Sequence, residues 1–141
     1  PTVVASANRE LSMEWSDERH VLGLAAMDDT HREFFALVNA AETAAGPAFV
    51  AAFAALCAHT EIHFANEDKW MQESAFPALD EHVNEHRRVL RDLRRFNERV
   101  AKGSTMMAKA YIREQVAEWF ELHASTMDAA LAAHLKARAS A

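Results

Sequence analysis

The segment DEHVNEHRRVLRDLRRFNERVAK, residues 80–102, carries the clearest amphipathic pattern in this chain. At about 100° per residue its apolar side chains recur on one face, which predicts a helix that is buried along one side. Asp80 is placed to cap the start of this helix, and Gly103 is placed to end it in a left-handed turn. The apolar face consists of Val83, Leu90, Leu93 and Phe96.

Three further helices are expected around this segment, because Gly46-Pro47 and Pro77 interrupt sequence that is otherwise helical in character. Four helices with short connections predict an all-α fold, an antiparallel up-down-up-down four-helix bundle. Residues 1–27 are expected to form an ordered N-terminal arm, and residues 28–141 are expected to form the single bundle domain. The three helices are expected from Asp28 or Asp29 to about Ala45, from Pro47 to about Gln72, and from Ser104 or Thr105 to about Ala137.

The composition favours one soluble helical domain. The 141 residues include only three Gly and three Pro, too few turn residues for a many-stranded sheet, and the net charge is −6. Cys57 is expected to be a buried thiol, and no secretory signal or apolar run long enough to span a bilayer is recognised. We therefore expect a cytoplasmic monomer, without membrane insertion. A basic cluster is expected to be a solvated helix face and not a nucleic-acid site; it comprises Arg87, Arg88, Arg91, Arg94 and Arg95.

Seven residues on the four expected helices form the pattern H…HxxxE…HxxxH…HxxxxD. Five imidazoles and two carboxylates are a ligand set for two transition-metal ions, with the carboxylates free to bridge them. Residues four apart share a helix face, and buried polar groups are costly unless they are paired or bound to metal. The apolar neighbours Ile62 and Phe64 indicate an inward face. The seven residues are His31, His63, Glu67, His82, His86, His123 and Asp128.

The last pair departs from this spacing. His123 and Asp128 are five residues apart and therefore about 140° out of phase on a regular helix. A bridging carboxylate need not share the whole face of its partner, and a local widening of the helix, of a kind often found at functional sites, would also align them. Spacing alone does not reveal this pair.

These motifs resemble the hemerythrin family, in particular its single-domain bacterial members. The resemblance covers residues 15 to about 131, nearly the whole chain, and implies the same four-helix bundle. It is carried by Trp15, MDDTH around His31, HFANED around His63, HVNEH around His82, and WFELHASTMD around His123.

The resemblance also implies a ligand assignment for two iron ions. It implies that His82, His86 and His123 hold one iron. It implies that His31 and His63 hold the other, which leaves a position where O2 binds reversibly. Glu67 and Asp128 are then expected to bridge the ions, together with an oxo or hydroxo group. By the same resemblance an apolar O2 pocket is expected from Phe64, Phe120 and Ala124.

Four further polar residues are given secondary roles. Asp68 stands where the family has a second Glu and is expected to face solvent. His59 lies four residues before His63 and is expected to pack against the ligands. His134 is expected to be solvated, and His20 has no partner at a recognisable spacing.

Three functions remain open at this level. The first is reversible O2 binding for storage, delivery or sensing, which is not an enzyme activity. The second is a di-iron oxidase or peroxidase of the ferritin-like kind, whose sites use Glu-x-x-His pairs, and no histidine here has Glu three residues before it. The third is a structural or zinc-storing bundle. The histidine-rich ligand set favours the first function, with O2 as the partner and no protein partner indicated.

Overall fold

In the computed structural model, which describes residues 13–140, every regular element is a helix. A short helix, α1 (Asp17–His20), precedes three long ones: α2 (Ala25–Thr43), α3 (Pro47–Glu73) and α4 (Leu79–Ala101). The last helix, α5, spans residues 106–140 and alternates between α and π geometry. The all-α prediction is confirmed. In α5 the α segments are Met106–Tyr111, Ala117–His123 and Ala129–Ser140, and the π segments are Ile112–Val116 and Ala124–Asp128.

The helices pack as an antiparallel bundle because each connection is short. Helix α3 packs against both α2 and α4, and α5 contacts α2 and α4. The connecting residues are 44–46, 74–78 and 102–105, which are long enough only to reverse the chain. Two apolar clusters form the core. The larger is built around Phe34, Phe49, Phe53, Leu56 and Phe120, and the smaller around Met27, Met71, Phe76 and Leu131.

The helix starts differ from those predicted. Helix α2 begins at Ala25, three residues before Asp28. The Asp28 carboxylate instead accepts hydrogen bonds from the backbone N–H groups of Leu22 and Gly23, at 2.8 and 3.1 Å. It therefore fastens the preceding loop to the helix and does not cap the helix. Helix α4 begins at Leu79 with Ala78 as its N-cap, so the predicted cap at Asp80 is wrong.

The part of the N-terminal arm that the structure describes, residues 13–24, is tied to the bundle at several points. The Met13 backbone N–H donates to the Asn39 side-chain oxygen at 3.1 Å, and the Asn39 amide donates back to the Met13 carbonyl at 2.7 Å. Trp15 contacts Phe35 edge to face, at 5.4 Å between ring centroids. These contacts hold residues 13–24 against the bundle. Of the arm predicted for residues 1–27, residues 25–27 belong to α2 and residues 1–12 lie outside the described range.

The sequence analysis recognised no apolar run long enough to span a bilayer, and this was wrong for α3. By length and composition alone, α3 could cross a membrane. The high hydropathy of α3 arises partly because its exposed side carries alanines, such as Ala51 and Ala58. Within the bundle this helix directs His63 and Glu67 into the interior, where they meet polar residues of the other long helices.

Two helix ends share the same left-handed turn but use different residues. At the end of α4, Gly103 has φ 97°, and Ser104 N–H donates to the Arg99 carbonyl at 2.9 Å, as predicted for a glycine cap. At the end of α3, Ala75 has φ 53°, and Phe76 N–H donates to the Met71 carbonyl at 2.9 Å. An L-residue with a side chain is disfavoured in this conformation, so the Ala75 turn is strained.

Ala75→Gly is therefore expected to stabilise the protein by about 0.5–1 kcal/mol, because glycine adopts a positive φ without steric cost. Thermal or urea unfolding measures the change. Ala101→Gly is the matched control, since it places glycine within the last turn of α4 and is expected to destabilise by up to about 1 kcal/mol. Equal destabilisation by both variants would contradict this account of the turn.

Candidate metal centre

The seven predicted ligand residues meet in one buried cluster in the middle of the bundle. Each long helix contributes, and every one of these side chains is 5% exposed or less. Imidazole Nε2 atoms and carboxylate oxygens face one another, although the residues lie up to 97 positions apart in the chain. Helix α2 supplies His31, α3 supplies His63 and Glu67, α4 supplies His82 and His86, and α5 supplies His123 and Asp128.

Glu67 divides its two carboxylate oxygens between two groups of imidazoles. Oε2 lies 2.7 Å from His63 Nε2 and 3.8 Å from His31 Nε2. Oε1 lies 3.4 Å from His82 Nε2 and 3.2 Å from His86 Nε2. One oxygen therefore faces the pair on α2 and α3, and the other faces the pair on α4.

Asp128 divides its oxygens in the same way from the opposite side of the cluster. Oδ2 lies 3.1 Å from His31 Nε2. Oδ1 lies 3.1 Å from both His82 Nε2 and His123 Nε2. The two carboxylates thus stand between a group of three imidazoles and a group of two.

These contacts define two overlapping sets of potential metal ligands. The ligand atoms of each set lie within 4.8 Å of one another. The larger set has three imidazoles and the smaller has two, and both share the two carboxylates. One set is Glu67, His82, His86, His123 and Asp128, and the other is His31, His63, Glu67 and Asp128.

The donor set fits metal ions better than it fits hydrogen bonding alone. Several buried atoms that face the cluster have no hydrogen-bond partner, among them Nε2 of His31, His82, His86 and His123, Glu67 Oε1, and both oxygens of Asp128. Buried polar atoms are rarely left unpaired, because each costs about 1–3 kcal/mol. Coordination of metal ions by these nitrogens and oxygens would satisfy them.

Of the two alternatives for the last pair, a partly different face or a widened helix, the structure shows the widened helix. Residues Ala124–Asp128 form a π segment, which brings Asp128 round to the face of His123. The hydroxyls of Ser125 and Thr126 donate to the Leu122 carbonyl, at 3.3 and 2.6 Å. Short hydroxyl side chains that bond the preceding turn are a known source of local helix distortion, and here they accompany it.

The facing imidazoles and carboxylates shift one another's pKa values. Burial by itself lowers the pKa of His31 and of His82, but contacts with Asp128 and Glu67 outweigh burial and raise both pKa values to about 9. Burial raises the pKa of Glu67 and of Asp128, but the facing imidazoles lower both pKa values on balance. Metal ions that bind here must therefore displace protons from the imidazoles.

Asp68 does not face solvent as expected. Its Oδ1 lies 2.8 Å from Nδ1 of His86, the ring nitrogen that points away from the cluster. Phe64 stacks on the same imidazole at 3.9 Å between centroids and 6° between planes. The sequence did contain a signal for this arrangement. Phe64 and Asp68 are four residues apart and so share a face of α3, next to the face that carries His63 and Glu67.

A second supporting network, not predicted from the sequence, lies behind His123. Trp119 stacks on His123 at 4.7 Å between centroids and 20° between planes. Its indole N–H donates to Glu85 Oε2 at 2.8 Å, and Arg88 also donates to the Glu85 carboxylate. The Arg88 hydrogen bond is the main cause that lowers the pKa of Glu85 to about 2.

The three residues expected to line an O2 pocket are all buried, at different places around the cluster. Phe120 meets His31 edge to face at 5.0 Å and stacks with Phe34 at 5.1 Å. Ala124 is 8% exposed and belongs to the same apolar cluster. Phe64 faces the three-imidazole group through His86, and it also lies 5.3 Å from the His63 ring.

The remaining histidines have structural partners. His59 lies 3.0 Å from Glu33 Oε1 and contacts the His63 ring, which agrees with the expected packing role. His20 is buried, accepts a hydrogen bond from Ser16 N–H, and lies 2.8 Å from Glu121 Oε1.

Two expectations about surface residues have different outcomes. Ile62 is 65% exposed, so it was wrongly placed on the inward face. The arginines of the basic cluster are exposed, as expected.

His134 was expected to be solvated, but it is half-buried at the end of α3. Its Nε2 donates to the Ser74 carbonyl at 2.9 Å, and its ring lies 5.1 Å from Phe76. His134→Ala is therefore expected to destabilise the fold by about 1 kcal/mol while metal content is unchanged. Urea unfolding together with metal analysis checks both parts. A variant with lower metal content would place His134 in the centre, against the geometry.

Comparison with known proteins agrees with this geometry. The family model described as the hemerythrin HHE cation binding domain matches residues 22–135. The chain belongs to the hemerythrin family. The resemblance stated from its motifs is therefore confirmed, and the hemerythrin-family match spans all seven residues of the cluster.

Individual hemerythrins show the same relationship. A bacteriohemerythrin of Ralstonia nicotianae is 41% identical over 116 residues, which are 82% of this chain and 83% of that protein. The crystal structure of wild-type hemerythrin superposes with a TM-score of 0.76 at 21% identity, over 83% of this chain and 92% of the other. A leucine-to-tyrosine variant of hemerythrin gives 0.77 at 21% identity, over 84% and 93%. These structures support the bundle fold.

Proposed function

We propose that this chain binds O2 reversibly at a non-haem di-iron centre. The division of each carboxylate between the two imidazole groups is the observation that carries the proposal. A carboxylate with one oxygen towards each group is arranged to bridge two ions and not to enclose one. Seven side chains also exceed what one octahedral ion uses.

The proposed assignment follows the two ligand sets. His82, His86 and His123 would hold one iron, and His31 and His63 would hold the other. Glu67 and Asp128, which belong to both sets, would be shared by the two ions. The second ion would have one protein ligand fewer, and this difference would leave room for O2. The bound iron pair supplies the reversible electron transfer that O2 binding requires.

The protein itself would exclude water from the proposed O2 position. We propose that Phe120 and Ala124, together with Phe64 on the side where it lies 5.3 Å from the His63 ring, form the apolar wall around bound O2. Phe120 is the ring in edge contact with His31, and its stack with Phe34 closes that side of the cluster. Exclusion of water and protons by such a wall favours release of O2 over irreversible oxidation of the iron.

The ligand chemistry favours O2 binding over the alternative, a di-iron oxidase or peroxidase. Ferritin-like oxidases rely on a carboxylate majority with Glu-x-x-His pairs. Five imidazoles and two carboxylates face this cluster. We accordingly propose a protein without catalytic turnover. A cytoplasmic monomer that serves oxygen storage, delivery or sensing is the expected setting, and O2 is its expected partner.

The decisive test is the absorption spectrum of the iron-loaded protein, reduced without air and then exposed to O2. A new visible band that disappears when O2 is removed and returns on re-exposure is the expected result. Metal analysis is expected to give about two iron ions per chain. A band that cannot be reversed, with oxidation of added substrates over many turnovers, would favour the oxidase. Zinc after iron-replete expression would favour a storage or structural role.

A further inference from the structure

The five imidazoles of the cluster differ in how their outer nitrogens are satisfied. Within residues 13–140, Nδ1 of His31, His63, His82 and His123 has no hydrogen-bond partner. Nδ1 of His86 has one, the Asp68 carboxylate at 2.8 Å. The centre is therefore asymmetric beyond its ligand count, because one imidazole of the three-imidazole group is backed by a carboxylate.

We propose that Asp68 is a positioning residue that orients His86 and strengthens it as a metal ligand; this rests on the di-iron centre proposed above. An ionised carboxylate can only accept hydrogen bonds, so Nδ1 of His86 must be the donor. In the neutral imidazole the lone pair is then on Nε2, the atom 3.2 Å from Glu67 Oε1 and directed into the cluster. Asp68 thus selects the tautomer that can bind metal.

The ring orientation is constrained at the same time. Phe64 covers one face of the His86 imidazole in a nearly parallel stack, and Asp68 accepts a hydrogen bond from Nδ1 at the edge of the ring. Rotation about the last side-chain bond would break both contacts. The negative charge behind the ring also makes Nε2 a stronger donor, and loss of such an outer partner typically weakens metal binding by about 10–100-fold.

The same segment of α3 therefore supplies groups on both sides of the centre. Glu67 faces the imidazoles from within the cluster, and the adjacent Asp68 reaches across to the outer side of a ligand on α4. Asp68 is half-buried, with 33% of its side chain exposed, so its charge is only partly screened by solvent. Its effect is expected to concern the three-imidazole set, to which His86 belongs.

Stepwise zinc binding to the metal-free protein tests the proposal, because zinc needs no redox chemistry. Asp68→Asn keeps an oxygen acceptor and removes the charge, Asp68→Ala removes both, and Asp68→Glu restores a carboxylate. Glu61→Gln is the matched control: it removes one negative charge from α3 at an exposed pair with Arg94. In parallel, ¹H–¹⁵N spectra of the zinc-loaded protein follow the Nδ1–H proton of His86.

The expected result is two zinc ions bound by the wild type. Asp68→Ala should weaken one of the two binding steps by about 10–100-fold, and Asp68→Asn should weaken that step by a smaller factor. Asp68→Glu and the control Glu61→Gln should have the smallest effects. The Nδ1–H signal of His86 should be protected from exchange in the wild type and lost in Asp68→Ala. Two zinc ions bound with unchanged affinities in Asp68→Ala would overturn the role of Asp68 and leave the centre standing. Equal weakening of both steps with loss of the metal-free fold would also overturn it. Failure of the wild type to bind two ions would overturn the centre itself.

Discussion

Glu67→Ala is expected to lower the iron content from about two ions per chain to less than about one, because it removes the carboxylate that faces four imidazoles. Glu67→Gln keeps the size of the side chain but turns an N–H₂ group towards one imidazole set, so it is also expected to lose iron. Metal analysis after iron-replete expression gives the measurement. Thermal unfolding with and without a chelator gives the stabilisation that bound metal contributes.

Glu61→Ala is the control for this prediction. Glu61 lies on the same helix and also carries a carboxylate, but it is exposed and pairs with Arg94 at the surface. Its replacement should leave iron content and the effect of the chelator unchanged. Two ions retained by Glu67→Ala would show that the carboxylate does not bridge, and the assignment of both ligand sets would then be wrong.

A steep pH dependence of zinc binding is the second large effect. In the metal-free protein His31 and His82 have pKa values raised to about 9, so both imidazoles carry a proton at neutral pH. Metal binding must remove these two protons. Contacts with Asp68 and Glu67 also outweigh burial and raise the pKa of His86. The overall affinity for two ions is therefore expected to rise by at least about a hundredfold per pH unit between pH 7 and 8.

The stability of the metal-free protein should change in the opposite direction over part of this range. The raised pKa values of His31 and His82 contribute free energy of unfolding that is fully present below pH 6.5, the ordinary pKa, and lost as the pH rises through about 9. The lowered pKa of Glu67 gives a contribution that is present above its ordinary value of 4.5 and lost in acid. The free energy of unfolding of the metal-free protein should therefore be highest between pH 4.5 and pH 6.5.

Zinc titrations at several pH values, with unfolding curves of the metal-free protein in the same buffers, measure both trends. His134→Ala serves as the control, because this imidazole bonds the Ser74 carbonyl outside the cluster. It should leave the slope of zinc affinity against pH unchanged. Zinc affinity that is constant from pH 7 to 8 would mean that the imidazoles are already neutral without metal.

The sequence by itself determined the helices and the inward ligand faces. Periodicity marked residues 80–102 as an amphipathic helix, and α4 (Leu79–Ala101) agrees with it to within about a residue at each end. The pairs His63–Glu67 and His82–His86 share a face simply because a helix turns by about 100° per residue. The widened turn before Asp128 was only one of two alternatives for the spacing of five between His123 and Asp128, and the structure decided between them. The helices and their shared faces are local features, and local geometry can be read along the chain.

Only the tertiary structure decided which atoms meet across helices. Asp68 was expected in solvent, yet it bonds His86 on the neighbouring helix, and His134 bonds the end of α3 from α5. Trp119 reaches Glu85 in the same manner. These contacts depend on how the helices are rotated and offset relative to one another, which is set by packing of the whole apolar core. The division of Glu67 and Asp128 between two imidazole groups is of this kind too, since it exists only when four helices have closed around it.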